Sequence, residues 1–176
     1  AMLMDYADRA RRMRVRANTE TPIEARSARA FGAEGIGLCR TEHMFLGDRL
    51  PIIRRFMLAT DPDEEAAALD ELGAVQRLDL AGVLEAMAPL PVTVRLLDAP
   101  LHEFLGDDSP LGSEHNPMLG ERGIRLAVMR EGLYRMQTRA LLAAMADVRE
   151  SGSHPHAAVM LPLVSTSAAL ELVRGW

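Results

Sequence analysis

Two arginines, Arg40 and Arg95, each close a short apolar segment that reads as a buried parallel strand. The first lies in Gly35-Ile36-Gly37-Leu38-Cys39-Arg40-Thr41-Glu42-His43-Met44-Phe45, the second in Val92-Thr93-Val94-Arg95-Leu96-Leu97-Asp98-Ala99-Pro100-Leu101-His102-Glu103-Phe104. A guanidinium fixed at a strand end can grip carboxylate or phosphate oxygens through paired charge-assisted hydrogen bonds, each contributing about 1.5–3 kcal/mol. Two of them at one mouth suit a small phosphorylated acid. Arg16 is expected at the same end of a first strand. Arg122, in Asn116-Pro117-Met118-Leu119-Gly120-Glu121-Arg122-Gly123, places a further guanidinium at a helix start, where free N–H groups also favour anions. Asp98, three residues after Arg95, could orient that guanidinium or bind a metal. A plainer alternative stands beside each: an arginine paired with a nearby carboxylate on a rim, an Asn-Pro turn with an exposed Arg, an Asp that caps a loop.

Other candidates carry less chemistry. The glycines of Gly32-Ala33-Glu34-Gly35-Ile36-Gly37 precede a strand, whereas nucleotide-binding glycines follow one and open a helix, so no nucleotide site is expected there. Cys39 is the single cysteine; it excludes an internal disulfide and reads as a small core hydrophobe with no basic neighbour to activate it. His43 and His102 follow strand ends, and His115, His154 and His156 fall in loops, with no metal-ligand spacing among them. The eleven methionines sit at core-like spacings.

Net charge is −5 and the arginines are spread along the chain, which argues against nucleic acid. The preference for Arg over Lys suits planar oxyanion recognition, although a GC-rich genome produces the same bias. No apolar run approaches the roughly 18–20 residues needed to span a bilayer, and the amino end lacks a signal-peptide core. With one cysteine, cytoplasm is the expected compartment, without a membrane partner.

The elements that must position these residues follow from periodicity. Residues 3–11 read as a short amphipathic helix and 12–17 as a first strand. Thr21, Pro22 and Glu24 spell a helix start with a capping box, and Gly32 stops that helix. Gly35–Arg40 is the second strand, followed by short helices near 41–46 and from Pro51 and a long helix over 62–88. Leu69, Leu72, Val75, Leu80, Val83, Leu84 and Met87 form its apolar face. Val92–Leu97 is the third strand, 105–120 a polar loop, and Leu133, Met136, Ala140, Leu141, Ala144, Met145 and Val148 stripe the next helix up to Gly152. Ala157–Val164 is the fourth strand, and a helix follows from Thr166. The alternation predicts a parallel α/β fold of about four β/α units: a partial (β/α)8 TIM barrel, since a full one takes about 250 residues, with an open doubly wound sheet as the alternative.

These three motifs in order, with Val15-Arg16-Ala17-Asn18-x-x-Thr21-Pro22 and Met160-Leu161-Pro162-Leu163-Val164, resemble the C-terminal phosphoenolpyruvate/pyruvate-binding barrel of the pyruvate, phosphate dikinase family. Enzyme I of the bacterial sugar phosphotransferase system and phosphoenolpyruvate synthase share the barrel but differ in the Cys-Arg-Thr-Glu-His segment. The resemblance implies a transferase that makes phosphoenolpyruvate from pyruvate, ATP and phosphate, by way of a phosphohistidine on a mobile domain and with Mg²⁺ bound. It makes Arg40 and Arg95 the residues that bind substrate phosphoryl and carboxylate oxygens, and Asp98 and Arg122 supporting catalytic members of the mouth. It places the Mg²⁺ ligands, a substrate-binding Asn and a proton-donating Cys in the second half of the barrel, outside this chain, so Cys39 is not the catalytic cysteine.

By the same resemblance, residues 1–11 are the end of a linker helix, 12–176 the first half of the barrel, and the phosphohistidine and ATP-grasp domains are missing. The chain alone is then expected to be incomplete as an enzyme. Open strand edges favour self-association, so a homo-oligomer is expected. The competing class is a non-catalytic half-barrel module that binds an anion or a partner chain.

Overall fold

A computed structural model describes residues 2–106, 116 and 118–176; most of the 105–120 loop, with His115 and Pro117 of the Asn-Pro motif, lies outside the described residues. Four strands form one parallel sheet: β1 (Ala17–Asn18), β2 (Ile36–Arg40), β3 (Pro91–Arg95) and β4 (His156–Met160), in the order β1-β2-β3-β4. Every strand therefore lies beside the next one in sequence. A doubly wound sheet reverses its order partway, whereas a barrel arc does not. The crossover helices confirm the arc. Helix α1 (Met2–Ala10) precedes the sheet, and α2 (Pro22–Ala30), α4 (Pro62–Met87) and α7 (Glu131–Glu150) connect successive strands, α2 packing on α4 and α4 on α7. Shorter helices decorate the loops after β2 and β3: α3 (Leu50–Leu58), α5 (Leu101–Leu105) and α6 (Ile124–Met129); α8 (Ser167–Arg174) follows β4.

Local chemistry explains the punctuation. Glu24 N–H donates to Thr21 Oγ1 at 3.2 Å, while Glu24 Oε2 accepts from Thr21 N–H at 3.2 Å and Glu20 N–H at 3.0 Å, so the capping box is complete. Pro22 sits in the first turn, where its missing N–H costs nothing. Helix α4 likewise opens on Pro62, and Asp63, Glu64 and Glu65 complement its positive end.

The core has two parts. One joins the sheet to the crossover helices through Ile36, Cys39, Val92 and Val94 against Leu80, Leu84, Leu141 and Ala144. The other lies beyond the carboxyl ends of β2 and β3, where Phe45, Leu97 and Phe104 meet Ile53, Phe56, Leu72 and Tyr134. Burying one such large side chain contributes about 1.5–3 kcal/mol. The loops after Arg40 and Arg95 are thus anchored by core aromatics.

Three expectations need correction. The first strand is Ala17–Asn18 rather than 12–17, and residues 12–16 stay outside it, Met13 and Val15 being exposed with no face to cover. The chain runs beside β2 through backbone bonds, Glu34 N–H to Val15 O, Ala17 N–H to Gly35 O and Thr19 N–H to Leu38 O, and through Val15 N–H to the Glu34 carboxylate. Arg16 therefore precedes β1, is exposed, and does not stand at a carboxyl end. The fourth strand stops at Met160 rather than Val164, since Pro162 cannot donate to a ladder and Leu163 turns the chain with φ +58°. Finally, α6 is a separate helix ahead of α7, the two parting at Arg130.

Candidate active site

Arg40 and Arg95 are register partners, the last residues of β2 and β3. Paired positions on parallel neighbours share a face and lie about 4.8 Å apart, so both side chains leave the same face at adjacent strand ends. The residues around them differ. Arg95 Nη2 donates to Glu42 Oε1, and its Nη1 lies 3.4 Å from Asp98 Oδ2. Both carboxylates are buried, at 5% and 6% side-chain exposure. Asp98 also receives Arg122: Nε donates to Oδ1 at 2.9 Å and Nη2 to the Asp98 carbonyl at 2.9 Å. That carboxylate holds the Arg122 charge firmly, raising its affinity for the proton. Arg40 has a lighter hold, one bond at 2.7 Å from Nη1 to Glu20 Oε1, and its side chain is 32% exposed.

The structure therefore brings Arg95, Asp98 and Arg122 into one ion-paired chain, with Arg40 beside it. The plainer alternative also has its counterpart, since each arginine is paired with a carboxylate. Glu20, Glu42 and Asp98 offset the three guanidiniums, so an incoming anion must compete with carboxylates for N–H groups. Two buried groups are left over: Arg95 Nε–H and Glu42 Oε2 have no partner among the described residues. A donor and an acceptor, desolvated yet unused, mark polar capacity held in reserve.

The backbone around Asp98 is equally constrained. Gly123 has φ +57°, and a Cβ there would come within 3.1 Å of Asp98 Oδ1 and of Leu163 Cδ1. Only glycine lets Arg122 and α6 approach the carboxylate. From the other side Tyr134 O–H donates to Leu97 O at 3.0 Å, Leu97 N–H to Gln137 Oε1 at 2.9 Å, and Gln137 Nε2 to Thr41 Oγ1 at 2.8 Å, all buried. Burial pushes the Tyr134 phenol well above its usual range, so it stays a neutral donor.

Sequence reasoning missed Glu20, Glu42 and Gln137. Glu42 is two residues past Arg40, but its partner, Arg95, comes from the next strand. Gln137 announced itself only as a polar residue inside the apolar stripe of α7. Among the described residues no three of His, Cys, Asp and Glu gather as a metal site, and Asp98 is engaged by arginines, which does not fit it as a metal ligand. Cys39 is buried, with its thiol pushed up to about 12 chiefly by burial, a core residue as expected.

Comparison with known proteins gives the family. The family model for the PEP-binding domain of PEP-utilising enzymes matches residues 2–175. The chain is 44% identical to pyruvate, phosphate dikinase of Rhizobium meliloti strain 1021 over 98% of its length, and 44% identical to the chloroplastic pyruvate, phosphate dikinase 1 of Arabidopsis thaliana over 95%. It is 42% identical to the chloroplastic enzyme of Flaveria trinervia over 97%. It spans 22%, 20% and 20% of those proteins, about a fifth of their length. A parallel β/α arc with paired strand-end arginines, matched almost end to end, belongs to the PEP-binding domain family of PEP-utilising enzymes.

Proposed function

We propose that this chain supplies the arginine side of the phosphoenolpyruvate/pyruvate site of a pyruvate, phosphate dikinase, the enzyme that interconverts pyruvate, ATP and phosphate with phosphoenolpyruvate, AMP and diphosphate. The register of Arg40 beside Arg95 at adjacent strand ends carries the reading. Arg40 and Arg95 bind the phosphoryl and carboxylate oxygens, and Asp98 and Arg122 hold Arg95 in place. In the barrel step a phosphoryl group leaves a histidine nitrogen and joins the enolate oxygen of pyruvate. Enolate and phosphoryl both gather negative charge, so guanidiniums fixed in advance stabilise the transition state more than the ground state.

Residues 1–11 then end a linker helix and 12–176 form the first half of the barrel. The phosphohistidine and ATP-grasp domains and the remaining strands come from a longer protein, and the cytoplasm is its proposed compartment. Mg²⁺ belongs to that whole enzyme; the described residues do not fit it, and none of the roles given to the arginines runs through it. The chain alone binds substrate without turning it over.

A homo-oligomer is the proposed assembly, with the apolar surface along β4 and α8 as the face that a second copy covers. Val159, Met160 and Leu170 are partly exposed there, beside an apolar cleft of about 550 Å³ lined by Leu96, Leu161 and Trp176. Calorimetric titration with phosphoenolpyruvate checks the substrate reading: binding within the millimolar range is expected, lost when Arg40→Ala and Arg95→Ala are combined. No binding, or binding indifferent to both changes, leaves the non-catalytic module instead.

A further inference from the structure

We infer that Gln137 is a positioning residue for the arginine mouth, acting through the two carboxylates that hold Arg95; the inference rests on the substrate reading only for its ligand arm. Gln137 is 1% exposed, on the face of α7 that otherwise buries Leu133, Met136, Ala140 and Leu141. Its amide oxygen accepts from Leu97 N–H at 2.9 Å and its amide nitrogen donates to Thr41 Oγ1 at 2.8 Å. Those partners come from different strand ends. Thr41 immediately precedes Glu42, and Leu97 immediately precedes Asp98. Glu42 and Asp98 are the two carboxylates against Arg95, and Asp98 passes the hold on to Arg122.

One planar amide thus fixes the spacing between the loops that follow β2 and β3, from the helix side, without touching a guanidinium itself. Tyr134, one turn earlier on the same helix, adds a bond to the Leu97 carbonyl at 3.0 Å. Leu97 is therefore held at both its N–H and its C=O by α7, which restrains the peptide groups on either side of it, the second of them leading into Asp98. An apolar residue at 137 would fill the stripe better but would strand the Leu97 N–H and the Thr41 hydroxyl in a dry interior. Small displacements matter here, because charge-assisted contacts to a polyanion depend on sub-ångström placement of several donors at once.

The test compares the unaltered chain with Gln137→Leu, Thr41→Val, Thr41→Ser and Val148→Ala, the last a buried truncation at the far end of α7 that controls for lost stability. The first readout needs no ligand: rotation of the Arg95 guanidinium, followed by its N–H resonances in NMR spectra. Slow rotation is expected in the unaltered chain, in Thr41→Ser, which keeps the hydroxyl, and in Val148→Ala; averaged signals are expected in Gln137→Leu and Thr41→Val. The second is calorimetric titration with phosphoenolpyruvate, where Gln137→Leu and Thr41→Val weaken binding about tenfold and Thr41→Ser restores it. If Arg95 rotation is unchanged in Gln137→Leu, or is released equally by Val148→Ala, the positioning role is overturned. Failure of the unaltered chain to bind phosphoenolpyruvate overturns the substrate reading instead, and the rotation data still decide the role of Gln137.

Discussion

The rim at β3 and the rim at β2 carry the same residue type at the same register position, yet they are built differently. Arg95 at β3 lies between two buried carboxylates, one of which also holds Arg122 and packs against a glycine that cannot be replaced without contact. Arg40 at β2 has a single bond to Glu20 and about a third of its side chain in water. The first is a fixed post and the second an arm with room to swing. On the proposed substrate reading, preorganisation at one oxyanion contact with adaptability at the other lets a mouth hold its geometry when empty and still close on a ligand. The difference also separates what stabilises the fold from what would recognise substrate.

The sharpest way to break the contrast is to remove each arginine. Arg95→Ala leaves Glu42 buried without its partner and Asp98 held by Arg122 alone, and urea unfolding is expected to lose about 3 kcal/mol. Arg40→Ala is expected to cost under about 1 kcal/mol, as for a solvent-screened pair. Equal losses would show that the two rims are energetically alike.

Next in size is Gly123→Ala. Its φ of +57° disfavours any side chain by about 1–2 kcal/mol, and the new Cβ presses on Asp98 Oδ1. A lowered melting temperature is expected together with loosened Arg122 and Arg95, whereas Arg40 keeps its Glu20 bond. If Arg40 loosens as well, the two rims are one unit.

A smaller effect belongs to the β2 side. The Glu20 and Thr21 N–H groups hold the Glu24 carboxyl below its usual range, the Glu20 bond being the larger cause. A depressed folded-state value means that this contribution is present above the ordinary carboxylate pKa and is lost as pH falls through the lower folded value. Acid titration should therefore soften the capping box and the Glu20 backbone beneath Arg40, and Glu24→Gln should remove that pH dependence. The smallest effect concerns Cys39: with its thiol pushed up to about 12 by burial, it should resist alkylation near neutral pH until the chain unfolds.

Much of this arrangement was legible because its causes are local. Thr21, Pro22 and Glu24 specify a helix start within four residues, and the apolar stripes of α4 and α7 need only a 3.6-residue period. The end of β2 at Arg40 follows from an apolar run closed by a charge, whereas β3 stops at Arg95, two residues short of the expected Leu97. What escaped was non-local. Glu42 meets Arg95 across 53 residues, and Gln137 meets Thr41 across 96, so no spacing rule links them. The segment before β1 misled in the opposite way. Its alternating Arg, Met and Val has a strand's period, but Met13 and Val15 find no partner to bury them, and period without burial does not make a strand.

The central claim, that Arg40 and Arg95 together grip one phosphorylated acid, is tested most directly by following arginine Nε–H resonances during a phosphoenolpyruvate titration, with assignments from Arg40→Lys and Arg95→Lys. Both signals should shift with a single shared midpoint within the millimolar range. The account is contradicted if they stay still while signals of exposed arginines such as Arg12 and Arg14 move, or if the two report different midpoints.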